Sequence, residues 1–556
     1  MALFTLLLQV ASQQPYIETF EVRLHNLDVV VTDRAGKPVS GLTKDDFVIL
    51  ENGTPQEVTN FSAYGESEGS ARSAAPGAQA EARAEARATA PRKFIFFIDE
   101  LALHPSSRNK LLKNAVNLMK SSMQPGDTAA VVRPIGEKNV IQEFTSDTKA
   151  IETSIKDILA ASDVRTNTQM ANEMRWLNQQ LAISSTLQEK NFTVRVYSDQ
   201  ARRRVEQRLG QLRAVVGSLA GVEGKKVLVL LTASLAAHPG REAFNLADIK
   251  MGSNPEVDNE VPGRLPDYPD LTPQINAVGQ LAAANGVTIY ALQPDVPLEL
   301  AAPGAMGTRQ LTALSPQTGR PLPPQHSLSD NFIGLVLDNT EITMTTLAEK
   351  TGGRWFRGDG NVDEAFRQIG NDLRVYYSLA YRAKGTEGGA RRVEVKVKGR
   401  DDLVVRTRTD VIEKSDSREM DDLVVASLVY PRQVNELGIQ SVAGPMTRTP
   451  SNRYQVPVET TIPMKALTFL PVGDGKYRAS ISIHYAASGQ QRDFVTGQER
   501  RQDVEITEAE MKSLDGKRFH YTSSLVVSQG KSRIAVGVLD RTAKLSGFST
   551  LEVSTP

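Results

Sequence analysis

Two runs of unbroken apolar residues, Phe94-Ile-Phe-Phe-Ile98 and Val227-Leu-Val-Leu-Leu231, constrain this chain more than any other feature. Each is too short for a buried helix and shows no alternation with polar residues. That combination fits a strand covered on both faces, the situation of a parallel sheet. Each run also ends at a polar residue, Asp99 and Thr232. Helical periodicity separates such runs. It predicts helices over Ser106–Met123 and Thr148–Ala161, then a long polar stretch, Gln169–Leu219, broken near Phe192–Asp199. Further helices are expected at Pro273–Ala284, Asn339–Thr351 and Val362–Asp372, and further strands at Thr128–Ile135, Val287–Leu292 and Arg354–Phe356. Strands alternating with helices across residues 93–374 imply an open, mostly parallel sheet with helices on both faces.

The flanks are of another kind. Residues 15–64 carry β-branched runs, turn chemistry at Asp33-Arg-Ala-Gly-Lys-Pro38, and a Glu51-Asn-Gly-Thr54 hairpin signal, with Thr43 placed to cap a short helix. Residues 375–412 return to strand patterning. Neither piece is large enough to close a core alone, so the two are expected to pair into one β-sandwich with the α/β unit inserted between its strands. Residues 65–92 (Gly, Ser, Ala, Glu and Arg) read as a disordered linker, and 413–422 as a charged one. Residues 423–556 read as a second β-sandwich, giving a multidomain chain of α/β plus all-β parts. Residues 1–14 have the apolar stretch and small residues of a signal peptide, without a leading Lys or Arg. Export to the periplasm, cell envelope or medium is expected, with no transmembrane span elsewhere.

Composition removes several function classes. The 65 basic and 65 acidic residues cancel, against a nucleic-acid binder. The absence of cysteine excludes disulfides, thiol catalysis and Cys-ligated zinc. The histidines at 25, 104, 238, 326, 484 and 520 are scattered, with no His-Glu-x-x-His, and neither a P-loop nor Gly-x-Ser-x-Gly occurs.

Several phrases in order resemble the von Willebrand factor type A family, and its secreted bacterial, acidobacterial branch in particular. They are LDVVVTDRAGKPVSGLTKDDFVILENGTPQEVTNF (27–61), FIFFIDELALHP (94–105), GKKVLVLLTASLAAHPGR (224–241), NGVTIYALQP (285–294), LAEKTGGRWF (347–356) and AFRQIGNDLRVYYSLAYRA (365–383). The resemblance implies a Rossmann-like domain and, in many members, a Mg²⁺ site. That site uses Asp-x-Ser-x-Ser after the first strand, a Thr on a later loop and an Asp after the central strand. Here Asp99 fills the first position. Leu101 and Leu103 stand where the hydroxyls belong, Thr166 (with Thr168 near it) answers to the loop Thr, and Ala233 replaces the second carboxylate. Magnesium requires about six hard oxygens. A degenerate site without metal or other cofactor is therefore expected, with Asp99 capping the next helix or accepting backbone N–H groups. Glu100, His104, Ser106 and Ser107 are out of register to substitute.

Other motifs dissolve on inspection. Asp359-Gly-Asn-Val-Asp363 opens like an EF-hand loop but lacks its Gly and its closing Glu, and Arg357-Gly-Asp359 is a triplet common by chance. The arginines at 202–204, 208 and 213 read as a solvated helical face. Loops 238–273 and 293–329 are long and leave from strand ends, where open α/β sheets bind ligands. The expected function is thus non-enzymatic binding of an unknown protein or envelope component at the carboxyl edge of the sheet, through Asp99, Glu100, His104, Thr166 and Ser234. The alternative is a divalent-cation-dependent adhesin using Asp99 and Thr166. A third class, a hydrolase sited in the C-terminal β region, has no catalytic cluster in the sequence.

Overall fold

The computed structural model describes residues 23–65, 91–99, 103, 105–134, 140–161, 176–177, 179–220, 222, 224–244, 268–294, 328–358, 362–383, 389–412, 414–429, 435–488, 494–496 and 499–555. The expected signal segment and the Ala/Glu/Arg stretch 66–90 lie outside them.

Strands β1 (Arg23–Thr32), β2 (Phe47–Glu51), β3 (Thr54–Gln56) and β4 (Val58–Tyr64) come first. The β2–β3 turn has Asn52 at φ 49° and Gly53 at φ 81°, both left-handed as a two-residue hairpin turn of this hand requires. The α/β part follows as β5 (Lys93–Ile98), α1 (Pro105–Ser122), β6 (Thr128–Val132), β7 (Val140–Thr145), α2 (Thr148–Ala161), α3 (Leu187–Ser218), β8 (Lys226–Leu231), α4 (Thr272–Ala284), β9 (Val287–Gln293), α5 (Leu328–Lys350), β10 (Arg354–Arg357) and α6 (Val362–Arg374). These six strands form one sheet in the order β10-β9-β8-β5-β6-β7. All neighbours are parallel except β6 and β7.

The apolar runs behave as strands buried on both faces must. Phe94, Phe96 and Ile98 pack with Val227, Val229 and Leu231 under α1, α2 and α6. Ile95, Phe97, Leu228 and Leu230 point the other way, under α3, α4 and α5. Gly353 marks the tightest approach: a Cβ there would lie 1.9 Å from the Ile289 carbonyl oxygen, so only glycine lets β10 reach β9.

Three local expectations are corrected. The antiparallel edge strand β7 was not foreseen; its residues Val140-Ile-Gln-Glu-Phe-Thr145 carry no clear period. Helix α3 runs unbroken through Phe192–Asp199, and the interruption falls at Ser184–Thr186 instead. There Thr186 and Glu189 form a capping box, Thr186 Oγ1 accepting from the Glu189 N–H and the Glu189 carboxylate accepting from the Thr186 N–H. Helix α5 begins eleven residues before Asn339, at Leu328.

Strands β11 (Tyr376–Ala383), β12 (Ala390–Val397), β13 (Val404–Arg406) and β14 (Asp410–Ile412) pair with the N-terminal ones. The result is two four-stranded sheets, β13-β1-β11-β4 and β14-β12-β2-β3. Leu27, Val29, Phe47, Ile49, Tyr377, Leu379, Val393 and Val395 fill the space between them. The chain leaves this unit at Tyr64 and re-enters at Tyr376, its direct partner in the sheet, with the two rings stacked 4.5 Å apart.

This β unit sits against the amino ends of the six-stranded sheet. Lys225 Nζ lies 3.5 Å from the centre of the Tyr376 ring and 3.8 Å from Asp28, and burial pushes its pKa down. Arg406 grips Asp372 of α6 with contacts of 2.7 and 2.8 Å to its two oxygens. Arg408 donates to the carbonyls of Ala283 and Asn26. The carboxyl ends therefore lie at the far side of the sheet from the β unit.

The segment 413–422 is not a linker. Helix α7 spans Asp416–Val429. Its acidic N-terminal turns hide the stripe Met420, Val424 and Leu428, which recurs every four residues and packs on Ala486, Ala535, Leu539 and Phe548. Ala426 enters the apolar layer under α3–α5. Strands β15 (Gln440–Ala443), β16 (Thr447–Arg448), β17 (Tyr454–Pro463), β18 (Leu470–Gly473), β19 (Lys476–Ser488), β20 (Phe494–Thr496), β21 (Arg500–Thr507), β22 (Arg518–Val527), β23 (Lys531–Asp540) and β24 (Ser546–Ser554) complete the chain. One sheet centres on β17 and the other on β19, with a shared core that includes Val456, Val458, Ile481, Ile483, Leu525 and Val536. The C-terminal part is thus a helix laid on a pair of sheets, not strands alone.

Candidate functional site

The sheet order reverses between β5 and β8: from β5 the chain winds outward through β6 to β7, then from β8 outward through β9 to β10. At such a switch point the two following connections diverge and leave a crevice outside the carboxyl ends. Asp99 directly follows β5 and Thr232 directly follows β8. Parallel pairing carries on to these residues, with the Asp99 N–H donating to the Leu231 carbonyl at 3.0 Å.

The carboxylate of Asp99 is buried, its side chain 1% exposed. Its Oδ2 accepts from Thr232 Oγ1 at 2.8 Å and from Ser234 Oγ at 2.9 Å. Thr232 Oγ1 in turn accepts from the Ser234 N–H at 3.2 Å, which fixes the loop after β8. The fourth member is Arg208 of α3, whose Nε stands 2.9 Å from the same Oδ2. Oδ1 has no hydrogen-bond partner among the described residues. Burying a carboxylate without partners costs several kcal/mol, and the two hydroxyls and the guanidinium are the contacts that offset that cost here.

Of the residues singled out in the sequence, the structure brings Asp99 and Ser234 together. Glu100, His104 and Thr166 lie outside the described residues. Among the described residues the partners of Asp99 are side chains of β8's loop and α3; most of the loop that follows β5, whose backbone N–H groups are the other expected partners, lies outside them. The expectation for Arg208 is corrected. The solvated face expected of this segment holds for Arg202, which lies outward and pairs with Asp199 and Glu206. Arg208 instead stands three residues after Val205 and four before Leu212, both buried against the sheet, so the helix turns it inward. That spacing was the available signal.

The fit of a divalent cation can be judged from these contacts. Oδ2 is already met by three donors, and Oδ1 is one oxygen where an octahedron needs six. Leu103 is buried and offers hydrocarbon, and Ala233 has no oxygen to give. A dication about 4 Å from the guanidinium would face a repulsion of about 8 kcal/mol at an effective dielectric of 20. Among the described residues, the groups around Asp99 do not supply the oxygens that Mg²⁺ needs.

A second constellation escaped the sequence altogether. His484 Nδ1 lies 2.8 Å from Asp421 Oδ1 of α7, and its Nε2 lies 3.1 Å from Ser482 Oγ. The bonding pattern is that of a hydrolytic triad. Ser482 is 1% exposed and His484 0%, so no substrate carbonyl can reach the hydroxyl. The trio fastens α7 to β19. Among the described residues no group of three or more His, Asp or Glu is arranged to hold a metal.

No protein-family profile matches the chain, and no curated protein matches it. Solved structures do. An aerotolerance-related membrane protein from Bacteroides fragilis is 13% identical and covers 51% of this chain and 98% of its own, with a TM-score of 0.23. The vWF domain of the type V pili tip protein Mfa5 from Porphyromonas gingivalis is 12% identical over 51% of this chain and 95% of its own, at 0.20. The manganese-loaded TRAP protein of Plasmodium vivax is 8% identical over 59% and 96%, at 0.23. Superpositions this loose carry no functional weight. The class rests on the chain's own topology: a mixed α/β and β protein with a doubly wound, mostly parallel sheet and a polar cluster at its switch point.

Proposed function

We propose that this chain is an exported, non-enzymatic binding protein whose von Willebrand factor A-type α/β unit, inserted in a β-sandwich, engages a protein or envelope component at the carboxyl edge of its sheet without a metal ion. One observation carries the reading: Asp99, Thr232, Ser234 and Arg208 converge at the switch point, on the side of the sheet away from the β unit. Around them the edge offers polar groups for contact. Arg357 pairs with Asp338 and Glu341 of α5 at 3.7 and 3.2 Å, all three partly exposed. His238 is 3.6 Å from Asp270. Among the described residues no helix is long and apolar enough to cross a membrane.

The test is cross-linking of the full chain in its native envelope fraction, with the linked peptides mapped. Links should fall on residues 234–238, 338–341 and 357, and the charge reversal Arg357→Glu with Asp338→Arg should weaken capture about tenfold. Links confined to the C-terminal sheets, or capture unaffected by the reversal, would place binding elsewhere.

A further inference from the structure

The carboxylate at the switch point already has a cation, and the cation is part of the chain. Arg208 projects from the middle of the 32-residue helix α3, one of the three helices packed on that face of the sheet, so the guanidinium is delivered by a rigid element. Its side chain is 14% exposed, against 1% for Asp99. It is thus an inner residue with an outer rim. The Thr232 and Ser234 hydroxyls aim at the same oxygen as its Nε, so three donors converge where a metal would otherwise draw the carboxylate. Nothing further is needed to balance the charge of Asp99.

We propose that Arg208 is a tethered counter-cation that takes the place of a divalent ion at the switch point, locking the end of β5 to the β8 loop and to α3 and making this edge indifferent to divalent metals. The assignment concerns the same edge as the binding reading and deepens it. It can be tested on the protein alone, so either can fail without the other.

The experiment uses the full chain and manganese as probe. Calorimetric titration of the wild type with millimolar MnCl₂ should give no binding heat that Asp99→Asn removes, and melting temperatures in EDTA and in MnCl₂ should coincide. Arg208→Met should lower the melting temperature on the order of 10 °C, since it strands a buried charge. Arg208→Lys, which keeps the charge, should recover most of that loss. The double variant Asp99→Asn with Arg208→Met should lose clearly less than the two single losses added together. Manganese heat in the wild type that vanishes in Asp99→Asn would overturn the assignment, as would additive losses in the cycle. If Arg208→Met fails to fold, the wild-type titration and the Arg208→Lys melt still decide it.

Discussion

Buried ionisable groups in this chain differ in whether they have been given a partner of opposite charge. Arg92 and Asp127 have, at 2.6 Å, and the guanidinium also donates to the Leu373 and Ser122 carbonyls. Glu242 is held more weakly: its Oε1 accepts the Tyr197 hydroxyl at 3.0 Å, its own backbone N–H and the charges of Arg204 and Arg241 draw its pKa down, and burial outweighs them, raising it above the ordinary value of 4.5. An acid whose pKa is raised on folding destabilises the fold once the pH exceeds the unfolded value. The cost is absent below about pH 4.5 and grows as pH climbs towards the folded pKa. Glu242→Gln keeps the acceptor and removes the charge. Melting curves should show the variant gaining on the wild type as the pH rises from 4 to 8, with the gap closing again at pH 4. The Thr232 hydroxyl presents the opposite case, a donor that a buried carboxylate requires. Thr232→Val should cost about 1–3 kcal/mol by urea unfolding, more than an exposed Thr→Val exchange.

At the scale of elements, legibility followed periodicity. Strands β5 and β8 were visible because five or six consecutive apolar residues have few other uses, and α2 was visible at its observed ends because Ile151, Ile155 and Ile158 repeat on one face. Strand β7 was not, since Val140–Thr145 alternates imperfectly and pairs only at one margin. Helix α7 was lost in its own charges. The candidate site divided along the same line. Asp99 and Ser234 stood at strand ends that the pattern located, whereas Arg208 comes from a helix separated from them by many residues and enters by a rotation of that helix. His484 and Asp421 meet only because α7 exists. Two element-level consequences are testable. Gly353→Ala forces β10 away from β9 and should cost at least about 3 kcal/mol, read from the denaturation midpoint. Val424→Asp should detach α7 from β19 and β23, exposing its amides to rapid hydrogen exchange while those of β5 and β8 stay protected.

Across the whole molecule, the amino edge of the α/β sheet is a fixed junction, and the carboxyl edge, where binding is proposed, lies on the other side. Lys225, Arg406 and Arg408 make the junction, each buried or half-buried against the β unit. Arg406→Ala leaves Asp372 without the nitrogen that meets both its oxygens and should lower stability by about 3–5 kcal/mol, seen as earlier melting, while leaving the capture tested under the proposed function unchanged below the melting point. The β unit carries a cost in time. Because Tyr64 meets Tyr376 across adjacent strands, the first half of each β-unit sheet must wait on the ribosome for roughly 300 further residues, on the order of 15–60 s at 5–20 residues per second. During that interval the α/β part can mature while residues 23–64 hold unpaired strand edges. Nascent chains of this protein are therefore most vulnerable to clumping, and most in need of a holding chaperone, before residue 412 emerges.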